Sequence, residues 1–422
     1  MENEYDVFAG IDWAIDSHQV CALRATREVI AERSVHHTGS GVNEFLDWLA
    51  RLSGGHPDRV AVAIEVPRGA LVESLVERGF HVFAINPKQL DRFRDRHTVA
   101  GAKDDRKDAF VLADSVRTDR PCFRRVDMDD PLIIQLREAS RAEDDLREEL
   151  NRLTNRVREQ VHRYYPQLLR LCTAADEPWF WSLLQIAPTP AVGAKLPPKR
   201  VEALLRKHRI RRIKSEDVIP TLRELALFVA PGTAEAASAH IALLIPRLRL
   251  AFDQRAQCAR RVEKLLEQLD TKETDPGQQN EHRDVQILRS LPGVGRILAA
   301  TMLAEASQPL AERDYRALRT LAGTAPITRR SGKRSLVIMR HACNARLRNA
   351  LYHWARVAAQ HDLRARQLYA GLRARGHTHG RALRQLADRL LSVLVAMLRT
   401  NTLYDPKRAT RVTTGSSTKA IA

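Results

Sequence analysis

The chain has 422 residues, too long for one ordinary core and long enough for two or three domains. Its 69 Lys and Arg against 51 Asp and Glu give a formal charge of +18, which points to a polyanionic partner, nucleic acid first. Five scattered cysteines without a Cys-x-x-Cys pair argue for a reducing compartment and against a zinc site. No stretch reaches the ~18 apolar residues of a membrane span, and the start shows no secretory leader, so a cytoplasmic protein without membrane attachment is expected.

Residues 1–125 read as alternating strands and helices. Asp6–Asp12 and Gln19–Thr26 form a hairpin-like pair, Val29–Ser34 a third strand and Val42–Ser53 a helix. Val60–Glu65 is an apolar strand, Gly69–Arg78 a helix, His81–Asn86 a strand, and a helix follows from about Asp105 to Arg117. The expected fold class is a mixed α/β sheet with helices packed on it. Its acids fall where sites of open α/β sheets lie, at strand ends.

Four acids stand out: Asp12 in FAGIDWAIDSHQV, Glu65 in VAVAIEVPRG, and Asp105 with Asp108 in AKDDRKDAFVLAD. Carboxylates from neighbouring strand ends and a facing helix can cage a hard divalent cation, and such a cage suits phosphodiester chemistry. Taken singly, each acid is more simply a turn residue or a helix cap. Together the balance shifts, because strand-borne acids in apolar surroundings are costly unless paired or metal-bound.

From Leu132 to Tyr164 apolar residues recur at Leu136, Ala139, Leu146, Leu150, Leu153, Val157, Val161 and Tyr164, the stripe of a long coiled-coil-like helix. A second arm through Leu244, Leu248, Ala251, Val262, Leu265 and Leu269 pairs with it antiparallel, around an insert at about 171–239. The arms and insert make a middle region over 126–275, read as a dimerising element, with an inert spacer as the alternative. TKETDPGQQNEH is a linker. Residues 281–400 form a mostly helical C-terminal domain with helices over Ile287–Ala306, Tyr315–Ala322, Asn344–Gln360 and Arg381–Arg399, and a short polar region between Ala325 and Met339. Residues 401–422 make a basic, disordered tail.

Between Arg313 and Arg384 stand seventeen Arg or Lys and only Asp314 and Asp362 as acids, so this domain carries the charge for a phosphate backbone. Pro292-Gly293-Val294-Gly295 resembles a helix-hairpin-helix turn, whose glycines, Gly293 and Gly295, let backbone approach a phosphate. A plain tight turn explains it equally well. In GTAPITRRSGKRS, Ser331 sits beside Gly332 among Arg329, Arg330, Lys333 and Arg334. Cations there can hold a scissile phosphate for an activated hydroxyl, although composition alone does not separate Ser331 from Thr328 and Ser335.

At both ends the chain resembles the DEDD transposases of bacterial insertion sequences, bridge-RNA-guided serine recombinases. GIDWAIDSHQV, AIEVPRGALVESLVERGFHVFAINPKQLDRFR and GAKDDRKDAFVLADSVRTD look like their RuvC-like (RNase H-like) N-terminal domain. LPGVGRILAATMLAE, LAGTAPITRRSGKRS and CNARLRNALYHWA look like their C-terminal transposase domain. The resemblance implies that Asp12, Glu65, Asp105 and Asp108 hold Mg2+, with Mn2+ as the alternative ion, and that Ser331 attacks a DNA phosphate to form a covalent phosphoserine link. It also implies donor and target DNA, a guide (bridge) RNA, a homodimer or homotetramer, and a bacterial, nucleoid-associated setting. Arg346 and Arg348 join the loop cations as phosphate-gripping residues. The chain departs from the family pattern at Asp104, where Thr is common, which makes Asp104 a rival ligand to Asp105. It departs again at Cys343, where Gly is common.

Two other readings stand beside this one. A metal-dependent junction-resolving nuclease would use the same acids with water as nucleophile. A noncatalytic, domesticated transposase would only bind nucleic acid and would need a damaged tetrad.

Overall fold

The computed structural model describes residues 4–96, 104–127, 129–271, 284–331 and 334–406. Two compact units divide the chain, Met1–Asp129 and Asp130–Ala422.

The first unit contains β1 (Val7–Asp12), β2 (Ser17–Arg24), β3 (Val29–His36), α1 (Gly39–Leu52), β4 (Val60–Ile64), α2 (Ala70–Glu77), β5 (His81–Ala84), α3 (Pro87–Arg94), α4 (Asp105–Asp119) and β6 (Arg124–Val126). The strands form one sheet in the order β3-β2-β1-β4-β5-β6, in which the β1–β4 and β4–β5 pairings are parallel and the other pairings antiparallel. This is the expected mixed α/β sheet, consistent with a RuvC-like domain. The VAVAI run of β4 is buried throughout because the central strand is covered on both faces. Alternation sorts its neighbours. Val7, Ala9, Ile11 and Val62 pack with Phe45, Leu46 and Leu71 of α1 and α2, whereas Phe8, Cys21, Ala61 and Ala63 pack with Leu112, Ala113 and Val116 of α4.

Two long antiparallel helices, α5 (Pro131–Tyr164) and α10 (Thr233–Thr271), form the spine of the second unit. Pro131 starts α5 where its missing N–H costs nothing, and Asp130 caps the Leu132 amide at 2.9 Å. Contacts of Gln135 with Arg261, Glu149 with Arg247 and Arg156 with His240 advance on α5 as far as they retreat on α10, in whole heptads. One end of the spine packs with α6 (Pro178–Ile186), α7 (Pro190–Ala194), α8 (Pro198–Lys207) and α9 (Ser215–Arg223) around the buried Trp179, Phe180 and Trp181. The insert is therefore a small helical module seated on the spine.

The other end of the spine packs with α11 (Asp284–Ser290), α12 (Arg296–Glu305), α13 (Ser307–Ala311), α14 (Tyr315–Leu321), α15 (Ala345–His361), α16 (Leu363–Ala374) and α17 (His379–Thr400) around Trp354, Met302 and Leu391. The segment expected as a short polar region is a β-hairpin of β7 (Ile327–Ser331) and β8 (Arg334–Ile338). None of its described side chains is buried on either face, so no buried face imprints an alternation on the sequence.

Candidate active site

Asp12 is the last residue of β1, opposite Gln19 of β2. In the parallel pairing of β1 with β4 the final partners are Ile11 and Ile64, so Glu65 continues β4 beside Asp12. By alternation Asp12 shares a face with Phe8 and Gly10, and Glu65 with Ala61 and Ala63, which is the face covered by α4. A Cβ on Gly10 would lie 2.0 Å from the Ala109 carbonyl oxygen and 2.4 Å from the Ala113 nitrogen, so only glycine lets α4 cross β1 this closely.

The direction of α4 follows from its far end. Arg120 lies over the Tyr5 ring at 4.5 Å and donates to Glu4 at 2.8 Å, at the beginning of β1. The helix therefore runs antiparallel to β1, and its first turn, carrying Asp105 and Asp108, reaches the strand ends that carry Asp12 and Glu65. Sequence-distant acids are brought to one end of one sheet.

Their states differ. Asp104 is the N-cap, its carboxylate accepting the Arg106 amide hydrogen at 3.2 Å, which is the capping role its position allows. Asp105 is exposed, whereas Asp108 is 2% exposed. Both Asp108 oxygens accept from Arg94 of α3, at 2.6 and 2.8 Å. Arg94 is held in its charged form chiefly by that hydrogen bond, against its own partial burial. Reading the sequence for acids alone missed it. The available signal was that an acid on the apolar side of an amphipathic helix needs a cation, and α3 presents one.

Hard carboxylate oxygens are the donors Mg2+ prefers. Among the described residues, however, no three of these four acids bring ligand atoms within 4.8 Å of one another, and Asp108 is already engaged. The donor set fits such an ion in kind and lies at one end of one sheet, but its carboxylates are not gathered around one point, and Asp108 is held by Arg94. The group that does cluster within 4.8 Å is Cys172, Asp176 and Glu177 of the second unit. Burial, with Glu177 beside it, pushes the Cys172 thiol up to about 11, and Glu177 is taken by Arg212 at 2.5 Å and Trp179 at 3.0 Å. That cluster is a braced turn holding a protonated thiol.

The turn after Asp12 is also braced. Trp13 stacks on the buried His18 ring, the Ala14 amide donates to His18 Nδ1 at 3.2 Å, and His18 Nε2 lies 2.9 Å from His37 Nδ1. Burial, then the His37 ring, holds His18 below the usual imidazole range.

In the second unit Ser331 ends β7, paired with Arg334, and is exposed together with Arg329 and Arg330. Lys333 and the side chain of Arg334 lie outside the described residues. Arg346, expected on a phosphate, is instead committed inward, donating to Asp144 at 2.7 Å, Glu305 at 2.6 Å and Ser140 at 3.0 Å. It ties α15 to α5 and α12, where the Glu305 carboxylate is buried and needs a cation and Asp144 is partly exposed. Arg348 is half-buried, 3.7 Å from the Cys343 sulfur. Asn344 caps α15 and donates to Glu305 at 2.8 Å. Where the family pattern has Gly, Cys343 fits because it packs on Gly323, whose missing Cβ would stand 2.7 Å from its sulfur.

The Gly293 turn faces protein as well. A Cβ there would meet Val357 at 3.1 Å, and Trp354 donates to the Pro292 carbonyl at 2.9 Å. Helix packing against α15 thus explains Gly293, while Gly295 stands open at the start of α12.

Two family models match the chain. One, described as a transposase of the IS110 DEDD type, covers residues 9–166, and the other, described as "Transposase IS116/IS110/IS902 family", covers residues 285–370. A putative transposase, y4uE, of Sinorhizobium fredii is 47% identical over 236 residues, which are 56% of this chain and 64% of that relative. The mini-circle putative transposase for IS117 of Streptomyces coelicolor is 34% identical over 419 residues, 97% of each chain. An uncharacterized 42 kDa protein of insertion element IS900 of Mycobacterium paratuberculosis is 27% identical over 424 residues, covering 96% and 98%.

Proposed function

We propose, from the premise that this chain belongs to the IS116/IS110/IS902 family of transposases, that it cuts and rejoins DNA through Ser331 while Asp12, Glu65, Asp105 and Asp108 hold Mg2+ or Mn2+. The observation that carries the reading is the Gly10 crossing, which delivers the first turn of α4 to the paired strand ends of Asp12 and Glu65. The Asp104 carboxylate is engaged as a cap, which favours Asp105 as the ligand.

In this mechanism the Ser331 hydroxyl loses its proton and its oxygen bonds to a DNA phosphorus. The bond from phosphorus to one deoxyribose oxygen breaks, and that oxygen leaves with a proton as a hydroxyl. A hydroxyl of the other DNA partner then attacks the phosphoserine, restoring the diester and freeing the serine. A bound divalent ion would stabilise negative charge on the phosphoryl oxygens. Arg329 and Arg330, exposed beside Ser331, are placed to hold the same phosphate. Donor and target DNA are the substrates, a guide RNA selects them, and a dimer or tetramer assembles the sites.

The test is recombination of paired DNA substrates by purified protein. Ser331→Ala and Asp12→Asn should each abolish product while keeping DNA binding. Strand cutting that survives Ser331→Ala would replace this reading with a water-using nuclease.

A further inference from the structure

The helical module between the two matched regions carries a second concentration of charge. From Lys195 to Lys214 nine Lys or Arg face one acid, Glu202, and all nine are exposed. Arg212 pairs with Glu177. Among the described residues Lys199, Arg200, Arg206, Lys207, Arg209, Arg211 and Lys214 have no carboxylate within 4.0 Å. Glu216 and Asp217 follow in the first turn of α9, so over 195–217 nine cations stand against three acids and the face keeps a positive excess.

The segment joining α8 to α9 gives that charge a shape. It turns on Arg209 at φ +56, the left-handed region where a side chain is strained and glycine is favoured. The turn is fixed by the Ile210 amide donating to the Leu205 carbonyl at 2.9 Å and the His208 amide donating to Leu204 at 3.1 Å. His208 is itself braced on Ser182 at 2.9 Å. An arginine kept where the backbone favours glycine directs attention to what its side chain does.

Beside it lies a cleft of about 460 Å3, with Leu205, Ile210 and Ile213 as its apolar part and four cations, Arg206, Arg209, Arg211 and Lys214, against two acids, Glu202 and Glu216, in its lining. That volume falls in the range of roughly 300–1,000 Å3 typical of ligand sites. The cations outnumber the acids, and an apolar floor with a net positive lining matches an unstacked base flanked by its phosphates, with Glu202 and Glu216 able to accept from base N–H groups. Duplex bases are stacked inside their helix and cannot enter such a cleft. A single strand can offer them, and guanidinium planes can stack on them without aromatic side chains.

The geometry points to the 195–214 face as a binding site for single-stranded nucleic acid, with phosphates on Arg206, Arg209, Arg211 and Lys214 and one base in the cleft. The site is separate from the strand-cutting residues and stands or falls independently of them.

The experiment uses the full chain and 20-nucleotide oligo(U) and oligo(dT) carrying 4-thio-pyrimidines, with a mixed-sequence DNA duplex as competitor. Photo-crosslinks mapped by mass spectrometry should fall within residues 199–217, for either strand, and an excess of duplex should not remove them. In the variant Arg206→Gln/Arg209→Gly/Arg211→Gln/Lys214→Gln these adducts should fall at least tenfold. The plot of log affinity against log salt should flatten by roughly 3, about 0.7 for each of four lost phosphate contacts. Arg209→Gly alone should weaken the adducts while melting no lower than the parent, since glycine relieves the turn. Adducts confined to other parts of the chain, an unchanged salt slope, or complete displacement by duplex would overturn the assignment.

Discussion

Glu305, at the end of α12, is 4% exposed at its side chain and sits among Arg141, Arg346 and Asn344, which join α5, α12 and α15. Burial pushes its carboxyl up, but hydrogen bonds from Arg141 and Asn344 and the charges of Arg141 and Arg346 more than offset this and hold it at about 2, against an ordinary 4.5. At about 1.36 kcal/mol per pKa unit, the depression corresponds to roughly 3 kcal/mol of stability. The group binds fewer protons folded than unfolded. Its contribution is therefore complete above about pH 4.5 and is lost as pH falls towards 2. Glu305→Gln keeps the shape and removes the charge, leaving Arg141 and Arg346 short of an anion. Urea unfolding followed by amide hydrogen exchange in α12 and α15 should show a loss of about 3 kcal/mol at pH 7, shrinking steadily below pH 4. A loss under 0.5 kcal/mol at pH 7, or a deficit independent of pH, would refute the reasoning.

Other outcomes follow from the same geometry. Gly10→Ala drives a Cβ into the Ala109 carbonyl and should destabilise the first unit by about 3 kcal/mol, read by thermal unfolding of residues 4–127 through hydrogen exchange. Arg94→Ala strands a buried carboxylate on Asp108 and should cost about 3–5 kcal/mol without divalent ions. Added Mg2+ should restore more of the melting temperature in Arg94→Ala than in the parent, and an equal response in both would count against Asp108 as a ligand. His18 is held below the ordinary imidazole value of 6.5, so the turn after Asp12 should lose protection as pH falls below that value, because protonation ends acceptance of the Ala14 amide. Amide exchange at Ala14 that is flat between pH 7.5 and pH 5, after correction for intrinsic rates, would contradict this.

The α/β unit was legible because burial writes itself into alternation. β1 and β4 are apolar runs ending in acids, and their parallel register could not be read from either alone. The role of Gly10 was invisible until a helix was laid across it, since nothing near it in sequence announces a crossing by Ala109 and Ala113. Periodicity announced α5 and α10 over long spans, whereas the short helices α6 to α9 carry too few turns to show a stripe. The β7–β8 hairpin escaped notice because none of its described side chains is buried on either face, which leaves no apolar/polar alternation to read. Arg346 illustrates a different limit. Net charge marks a basic domain but cannot say which cations face solvent, and three-dimensional neighbours spent this one on Asp144 and Glu305. Asp108 and Arg94 form the mirror case, an acid read as a ligand whose present partner lies one helix away.

The proposed role of Ser331 is to make and break the covalent link to DNA, with the strand-end acids in support. It is tested most directly by quenching a reaction on a nicked or mismatched DNA substrate in Mg2+ and mapping any protein–DNA adduct by mass spectrometry. A phosphodiester adduct on Ser331 that is absent from Ser331→Ala and Asp12→Asn is expected. DNA cut at the same positions by Ser331→Ala, or an adduct on another residue, would contradict it.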